Sequence, residues 1–258
     1  MKLRHLLLLP LLAAPAAPAA LTLVNFNGAP TTVTGPGVMS VFGGLTTSYG
    51  TVSGLGLTAM PGGNPTVMSF GAPGLTNTQG LSFTHASASP NTSGYTILMD
   101  VYYSTIPNYV SLLQMDNTGD GDLFGRGSGA IGISGNYSGA GFTANLWHRV
   151  AFTMDGTQTS MQMYIDGVLA NGNTVPSAAA RYNLSSPGFL LFADEDGETA
   201  AGYISQFAFA DRVYSAAEIA GLGGASAPAV PEPAGMTLLG GVAALGLLSR
   251  RRKSPADS

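Results

Sequence analysis

The sequence predicts an all-β sandwich of two antiparallel sheets with one short C-terminal helix. Three observations predict it. Apolar residues recur at every second position, as where Tyr95, Ile97, Met99, Val101 and Tyr103 alternate with Thr96, Leu98, Asp100 and Tyr102. Asp-Gly pairs at 155–156 and 166–167 fall between β-rich runs, where glycine takes the positive φ of a hairpin turn. Glycine (36) and proline (16) are frequent in the 258 residues, which suits many short strands joined by turns. Only 9 % of the residues are charged, against about 25 % in an ordinary soluble domain. That scarcity excludes a solvated disordered chain or a coiled coil. The absence of cysteine excludes a disulfide scaffold, a zinc-thiolate site and a thiol nucleophile.

Residues 1–19 read as a signal peptide. Lys2 and Arg4 precede the apolar run Leu6 to Leu12, and Ala17-Pro18-Ala19 offers the small residues that signal peptidase reads. At about 15 apolar residues the run is short for the ~20 that span a bilayer. The domain is expected over residues 20–224. Strands are expected near 33–42, 52–58 and 66–70, separated by long Gly-, Thr- and Ser-rich loops. Further strands are expected at 95–103, 147–154 and 160–165, and at 204–209, where Ile204, Gln206 and Ala208 oppose Ser205, Phe207 and Phe209. Neither face of 95–103 or 204–209 is fully polar, as befits strands inside a two-layer stack. Ser215-Ala216-Ala217-Glu218 is a capping box that starts a helix. Ile219 and Leu222 can face the core, and Gly223-Gly224 ends the helix.

A linker is expected over 225–229 and a second address over 230–258. Val230, Pro231, Glu232 and Pro233 precede an uncharged run over 234–249, closed by Arg250, Arg251, Arg252 and Lys253. As a helix the run spans about 24 Å at ~1.5 Å per residue, less than a ~30 Å hydrocarbon core. The order of motif, short apolar helix and arginine-rich end resembles the PEP-CTERM sorting signal of Gram-negative bacteria. The resemblance implies transient insertion in the inner membrane, recognition and removal of the tail by an exosortase, and delivery to the cell surface or to an exopolysaccharide or biofilm matrix. A plain C-terminal membrane anchor is the alternative.

Between residues 20 and 229 the cations are Arg126, Arg149, Arg181 and Arg212, with no lysine, against twelve carboxylates, which leaves a charge of −8. Such a surface repels a phosphate backbone, so no nucleic-acid partner is expected.

Trp147-His148-Arg149-Val150-Ala151-Phe152, then Asp155-Gly156, then Met163-Tyr164-Ile165-Asp166-Gly167 resembles the concanavalin A-like LamG jelly roll, with its Trp-His-x-Val-Ala strand and Tyr-x-Asp-Gly hairpin. Residues 203–214 and the following helix are similar to that family's closing strand and helix. The resemblance covers residues 80–224 well and 21–79 loosely, and implies about six or seven strands per sheet. Residues 94–224 also resemble a module of other PEP-CTERM proteins, in which an acidic loop like 193–198 recurs.

Seven of the twelve carboxylates lie in two windows. Asp116, Asp120 and Asp122 stand in Asp-Asn-Thr-Gly-Asp-Gly-Asp, and Asp194, Asp196 and Glu198 in Asp-Glu-Asp-Gly-Glu. Gathered carboxylates repel one another unless a hard cation joins them, so Ca2+ is the expected cofactor at these six residues. The alternative is a pair of solvated acidic turns. The first window lacks the twelfth-position Glu and flanking helices of an EF-hand. LamG-like domains often hold calcium at a rim, which the resemblance extends to here. Some members of the superfamily are glucanases with a Glu-x-Asp-x-x-Glu strand, a motif absent from this sequence. His148, beside Trp147, is expected to be structural, and no serine triad stands out. Tyr102, Tyr109 and Tyr137, where exposed, offer rings for stacking on a sugar. The reading is a non-enzymatic, exported binding module for an extracellular polysaccharide or matrix protein. A glycoside hydrolase and a structural matrix protein without a small ligand are the alternatives.

Overall fold

The computed structural model describes residues 21–71, 79–85, 94–115, 123–133, 135–137, 141–157, 160–174, 182, 184 and 188–227. Strands, numbered along the chain, form two layers. The first is a nine-stranded antiparallel sheet of β1 (Leu21–Asn25), β2 (Thr31–Thr34), β4 (Thr47–Thr51), β5 (Thr66–Phe70), β7 (Tyr95–Tyr102), β12 (Trp147–Met154), β13 (Ser160–Ile165), β14 (Val168–Thr174) and β16 (Gly202–Ala210). Its order is β14-β13-β12-β7-β16-β1-β2, and β5, paired with β4, shares the β1 edge of β16. The second layer joins β15 (Gly188–Leu191), β6 (Gly80–Thr84) and β3 (Val38–Phe42) to β8 (Val110–Leu113), β9 (Leu123–Gly125), β10 (Ile131–Ile133) and β11 (Asn136–Tyr137). The seam is a pair of backbone hydrogen bonds, Gln114 N–H to Leu190 O (2.9 Å) and Leu190 N–H to Gln114 O (2.7 Å).

The alternation of β7 sorts its side chains as the sequence predicts. Tyr95, Ile97, Met99, Val101 and the following Tyr103 enter the core between the layers, with Phe83, Phe152, Phe189 and Phe207. Each such side chain withdrawn from water contributes on the order of 1.5–3 kcal/mol. The opposite face of β7 is buried too, because the nine-stranded sheet is covered from outside. Helix α1 (Ala216–Leu222) lays Ile219 and Leu222 over Leu98, Ala151 and Ala208. The loop after β4 and the segment after α1 bring Val52, Met60 and Ala225 over Tyr102 and Trp147. The capping box forms as read. The Ser215 hydroxyl accepts from Glu218 N–H, and Glu218 accepts from Ser215 N–H (2.8 Å). Its hydrogen bond from Arg212 (2.6 Å) outweighs burial and holds the Glu218 carboxyl down at about 2. Asp166 (φ +52°) and Gly167 (φ +82°) close the β13–β14 hairpin between Ile165 and Val168, with the two positive φ values of a type I′ turn.

Four expectations change. The stretch 33–42 is two strands, β2 and β3, on different sheets. Residues 52–58 form no strand: Leu55, Gly56 and Leu57 N–H bond back to Thr51, Ser53 and Val52 carbonyls, which folds the stretch into turns. In β16 the register shifts between Ile204 and Gln206, so Ile204 shares the core with Phe207 and Phe209 rather than the face of Gln206. A bulge inserts one residue and reverses the alternation beyond it. Of the expected linker, Ala225–Ala227 is docked, since Ala225 is buried and Ala227 N–H bonds Pro61 O (2.8 Å). A Cβ on Gly62 would meet Ala227 O at 1.7 Å, so only glycine admits that approach. Residues 1–19 and 230–258 lie outside the described residues, and among those described no helix is long and apolar enough to cross a membrane.

Candidate functional site

The carboxylates of the domain fall into separate settings. On the outer face of β7 and β12, Arg149 forks onto Asp100, with Nε and Nη2 each 2.7 Å from a carboxylate oxygen, while Nη1 donates to Leu222 O (2.8 Å). Both side chains are buried. Burial pushes the Asp100 carboxyl above its ordinary value, opposed by Arg149 and by a backbone hydrogen bond from Ser226. Next to it, Asp166 Oδ2 lies 2.7 Å from His148 Nδ1, and Oδ1 accepts from Arg149 N–H (2.9 Å). Partial burial works against the Asp166 charge, yet these bonds and one from Ala225 hold its carboxyl below the usual range. His148 Nε2 accepts from Thr143 N–H (3.1 Å). That bond occupies the nitrogen a catalytic base would need, and His148 locks the β13–β14 turn to β12. The Trp-His-Arg and Asp-Gly words therefore build the cover of the sheet and the anchorage of the segment after α1.

The second setting is the loop between β15 and β16. Asp194 is buried, and its Oδ1 accepts from Asp196 N–H (3.0 Å) and Glu198 N–H (2.8 Å), which curls 194–198 into a turn. One oxygen each from Asp194, Asp196 and Glu198 lie within 4.8 Å of one another. Two oxygens on opposite sides of a calcium ion, at ~2.3–2.6 Å from it, are about as far apart. The loop is tied to β8 through Ser111 N–H to Glu198 O (2.7 Å) and the Gln114 side-chain amide to Glu195. Gln114 is fully buried, and among the described residues its side-chain carbonyl oxygen has no hydrogen-bond partner. Hard carboxylate oxygens, a spacing that suits the ion and an orphaned buried acceptor nearby fit a calcium ion. Asp116, Asp120 and Asp122 lie outside the described residues, in the connection from β8 to β9 that starts at Met115. The fold brings the root of that connection, Gln114, against the second acidic loop.

Beside this loop a cleft of about 640 Å³ opens, lined by Thr46, Ser48, Ser69, Ser104, Thr199 and Tyr203 among others, with no charged residue. Thr199 follows Glu198 directly, and Tyr203 is half-buried against Tyr102. Pro107, at the cleft, accepts from Gly127 N–H (2.8 Å). Gly127 adjoins Arg126, whose guanidinium carbon lies 4.6 Å from the Tyr109 ring centroid and 4.7 Å from that of Tyr137. Of the three tyrosines offered for stacking, Tyr109 and Tyr137 are thus half-buried at the surface, while Tyr102 is buried under Trp147 and Tyr203. Sequence reading missed the cleft, because isolated Ser and Thr residues from four segments carry no pattern. It also passed over Arg126, for which the flanking Gly125 and Gly127 were the only sign.

No curated protein matches the chain. Among solved structures, the binding domain of Paraclostridial Mosquitocidal Protein 1 superposes with a TM-score of 0.53 at 11 % identity, over 80 % of this chain and 51 % of that one. A structure of botulinum neurotoxin type C, whose cell entry depends on two ganglioside molecules, gives 0.53 at 14 % identity over 80 % and 50 %. The binding domain of botulinum neurotoxin DC in complex with rat synaptotagmin II gives 0.51 at 14 % identity over 79 % and 50 %. The chain spans about half of each, and at these identities the likeness is one of fold. The family model described as the concanavalin A-like lectin/glucanases superfamily matches residues 75–220. With its two antiparallel layers and, among the described residues, one covering helix, this chain belongs to the concanavalin A-like lectin/glucanase superfamily.

Proposed function

We propose that this protein is an exported glycan-binding module of the cell surface or extracellular matrix. The observation that carries the reading is the cleft beside the acidic loop: free of charge, with Ser and Thr residues set among Phe70, Pro107, Ala200 and Ala201, and with the half-buried Tyr203 in its lining. Hydroxyls that donate and accept, next to an aromatic face, match the alternating polar edge and apolar face of a sugar. The solved structures of similar fold include one whose toxin engages gangliosides and one bound to a protein receptor. Both support a binding role toward a glycan or a protein. Calcium, held at one of the two acidic windows, with Asp194, Asp196 and Glu198 the group whose oxygens are gathered, orders the rim of the cleft. The ends of the chain supply the address: signal peptidase removes 1–19, the apolar tail inserts transiently, and an exosortase processes the Val230–Pro233 signal. A hydrolase reading has less support. Glycoside hydrolysis flanks the scissile bond with two carboxyl groups, whereas the three oxygens here converge on one point and none of these residues lines the cleft.

A glycan array probed with calcium and with chelator tests the proposal. Binding to a defined subset of glycans, weakened by chelator, is expected. Uniform silence in both conditions overturns it.

A further inference from the structure

Arg126 stands apart from the other described cations. Arg149 is spent on Asp100 and Arg212 on Glu218. Arg126 has no carboxylate partner among the described residues, and its guanidinium N–H groups have no hydrogen-bond acceptor there. Its contacts are to two rings, Tyr109 and Tyr137, whose centroids lie 5.9 Å apart and whose planes are tilted by 55°. The place is built rather than incidental. Arg126 N–H bonds Ala130 O (2.9 Å), and Gly129 N–H bonds Arg126 O (2.8 Å), which fixes the turn that carries it. Tyr137 comes from β11, pressed so close to β10 that a Cβ on Gly132 would meet Asn136 O at 2.1 Å. From the facing layer, Asn171 of β14 donates to Asn136 O (3.0 Å). Tyr109 packs edge-on against the buried Phe124. Three segments thus converge to hold one guanidinium over two rings, in a domain whose overall charge of −8 gives it every opportunity to pair internally.

A guanidinium whose carbon lies 4.6 and 4.7 Å from two ring centroids, with no carboxylate beside it among the described residues, has N–H groups to offer a planar, two-oxygen acceptor. From this arrangement, and resting on the glycan-binding reading above, we infer that Arg126, Tyr109 and Tyr137 form a subsite for the carboxylate of a uronic acid residue. Pro107 and Gly127 link it to the neutral cleft, so a glycan chain lying in the cleft can place an acidic sugar against Arg126. The rings serve the same ligand, since a pyranose carries its carboxylate beside an apolar ring face. Among the described residues one guanidinium without a carboxylate partner, in a domain of net charge −8, matches one carboxylate. A densely charged polyuronate, which needs a row of cations, is repelled.

The test compares oligosaccharides that carry a single uronic acid with the same oligosaccharides after reduction of the carboxyl to the alcohol, by calorimetry on the folded protein. The acidic form is expected to bind about tenfold to a hundredfold tighter, as for a charge-assisted hydrogen-bonded pair. Arg126→Gln removes that preference and leaves the affinity for the reduced form within about twofold. Arg126→Lys keeps the charge without the fork and retains only a fraction of the preference. Equal binding of the two oligosaccharides by the unaltered protein overturns the inference while leaving the glycan reading intact. So does a preference that survives in Arg126→Gln, or a stronger response to polyuronate or to an acidic peptide than to the single uronate. If neither oligosaccharide binds, nor any glycan on the array, the glycan reading and the inference fall together.

Discussion

Asp100 and Asp166, on the outer face of the nine-stranded sheet, meet their donors one by one. Asp194, Asp196 and Glu198, at the rim, place their oxygens within 4.8 Å of one another. In the first group a fork from Arg149, a ring nitrogen of His148 and several backbone N–H groups are interleaved between the carboxylates. Such charges are satisfied from within, and they hold the cover of the sheet in place. The second group is held in shape by backbone N–H bonds to one Asp194 oxygen, in a turn that leaves one carboxylate oxygen of each residue within 4.8 Å of the others. Acidic residues counted along a sequence look alike, and the difference in how their oxygens are deployed separates a structural pair from a candidate site.

The largest effect expected is at the first group. Arg149→Met leaves Asp100 buried without its cation, and the loss of a partner from a buried pair costs about 3–5 kcal/mol. Leucine 222 also loses the donor to its carbonyl, which loosens α1 and the segment behind it. Denaturant unfolding measures this directly, and a loss below about 1 kcal/mol would remove the distinction between the two groups.

The second group answers to the sign of a change. Asp194→Asn keeps Oδ1 as acceptor for Asp196 and Glu198 N–H but removes one of three converging charges. Without calcium the variant should be as stable as the parent or more so, because like-charge repulsion is relieved. With calcium the parent should gain about 2–3 kcal/mol at a hundredfold excess over its dissociation constant, and the variant much less. Melting curves of both proteins in calcium and in chelator read the four values. A parent indifferent to calcium removes the ion from the proposal.

Part of this was legible in the sequence, for identifiable reasons. Strands β7, β12 and β13, the Asp166-Gly167 turn and the Ser215 cap are set by local rules, namely alternation, a positive φ and a side chain reaching its own backbone. The phase of β16 was not, since the bulge after Ile204 shows only in its pairing with β7. Likewise, 52–58 holds apolar residues at 52, 55 and 57 between glycines, and it folds into turns over Tyr102 and Trp147. At the site, Asp194, Asp196 and Glu198 were legible because they are contiguous. The cleft and the Arg126 subsite were not, because each draws single residues from distant segments that only the closed sandwich brings together.

The smallest expected effect reads the first group from its exposed side. Its burial is only partial, and the bonds from His148, Arg149 N–H and Ala225 hold the Asp166 carboxyl below its ordinary value in the folded protein. A carboxyl with a depressed folded pKa contributes stability that is fully present above its unfolded value, about 3.9. That contribution disappears as pH falls through the folded value. Asp100, raised by burial, acts in the opposite sense, so the contribution of Asp166 is read as a difference. Stability measured from pH 6 to pH 2.5 should fall less steeply at its acid end in Asp166→Asn than in the parent. The side chain of Asp166 is 36 % exposed, so solvent screening keeps the difference on the order of 1 kcal/mol or less. Parallel curves would mean that the fork of Arg149 alone anchors the segment after α1. A divergence confined to pH below about 4 would assign the His148–Asp166 contact its share in fastening the β13–β14 turn to β12.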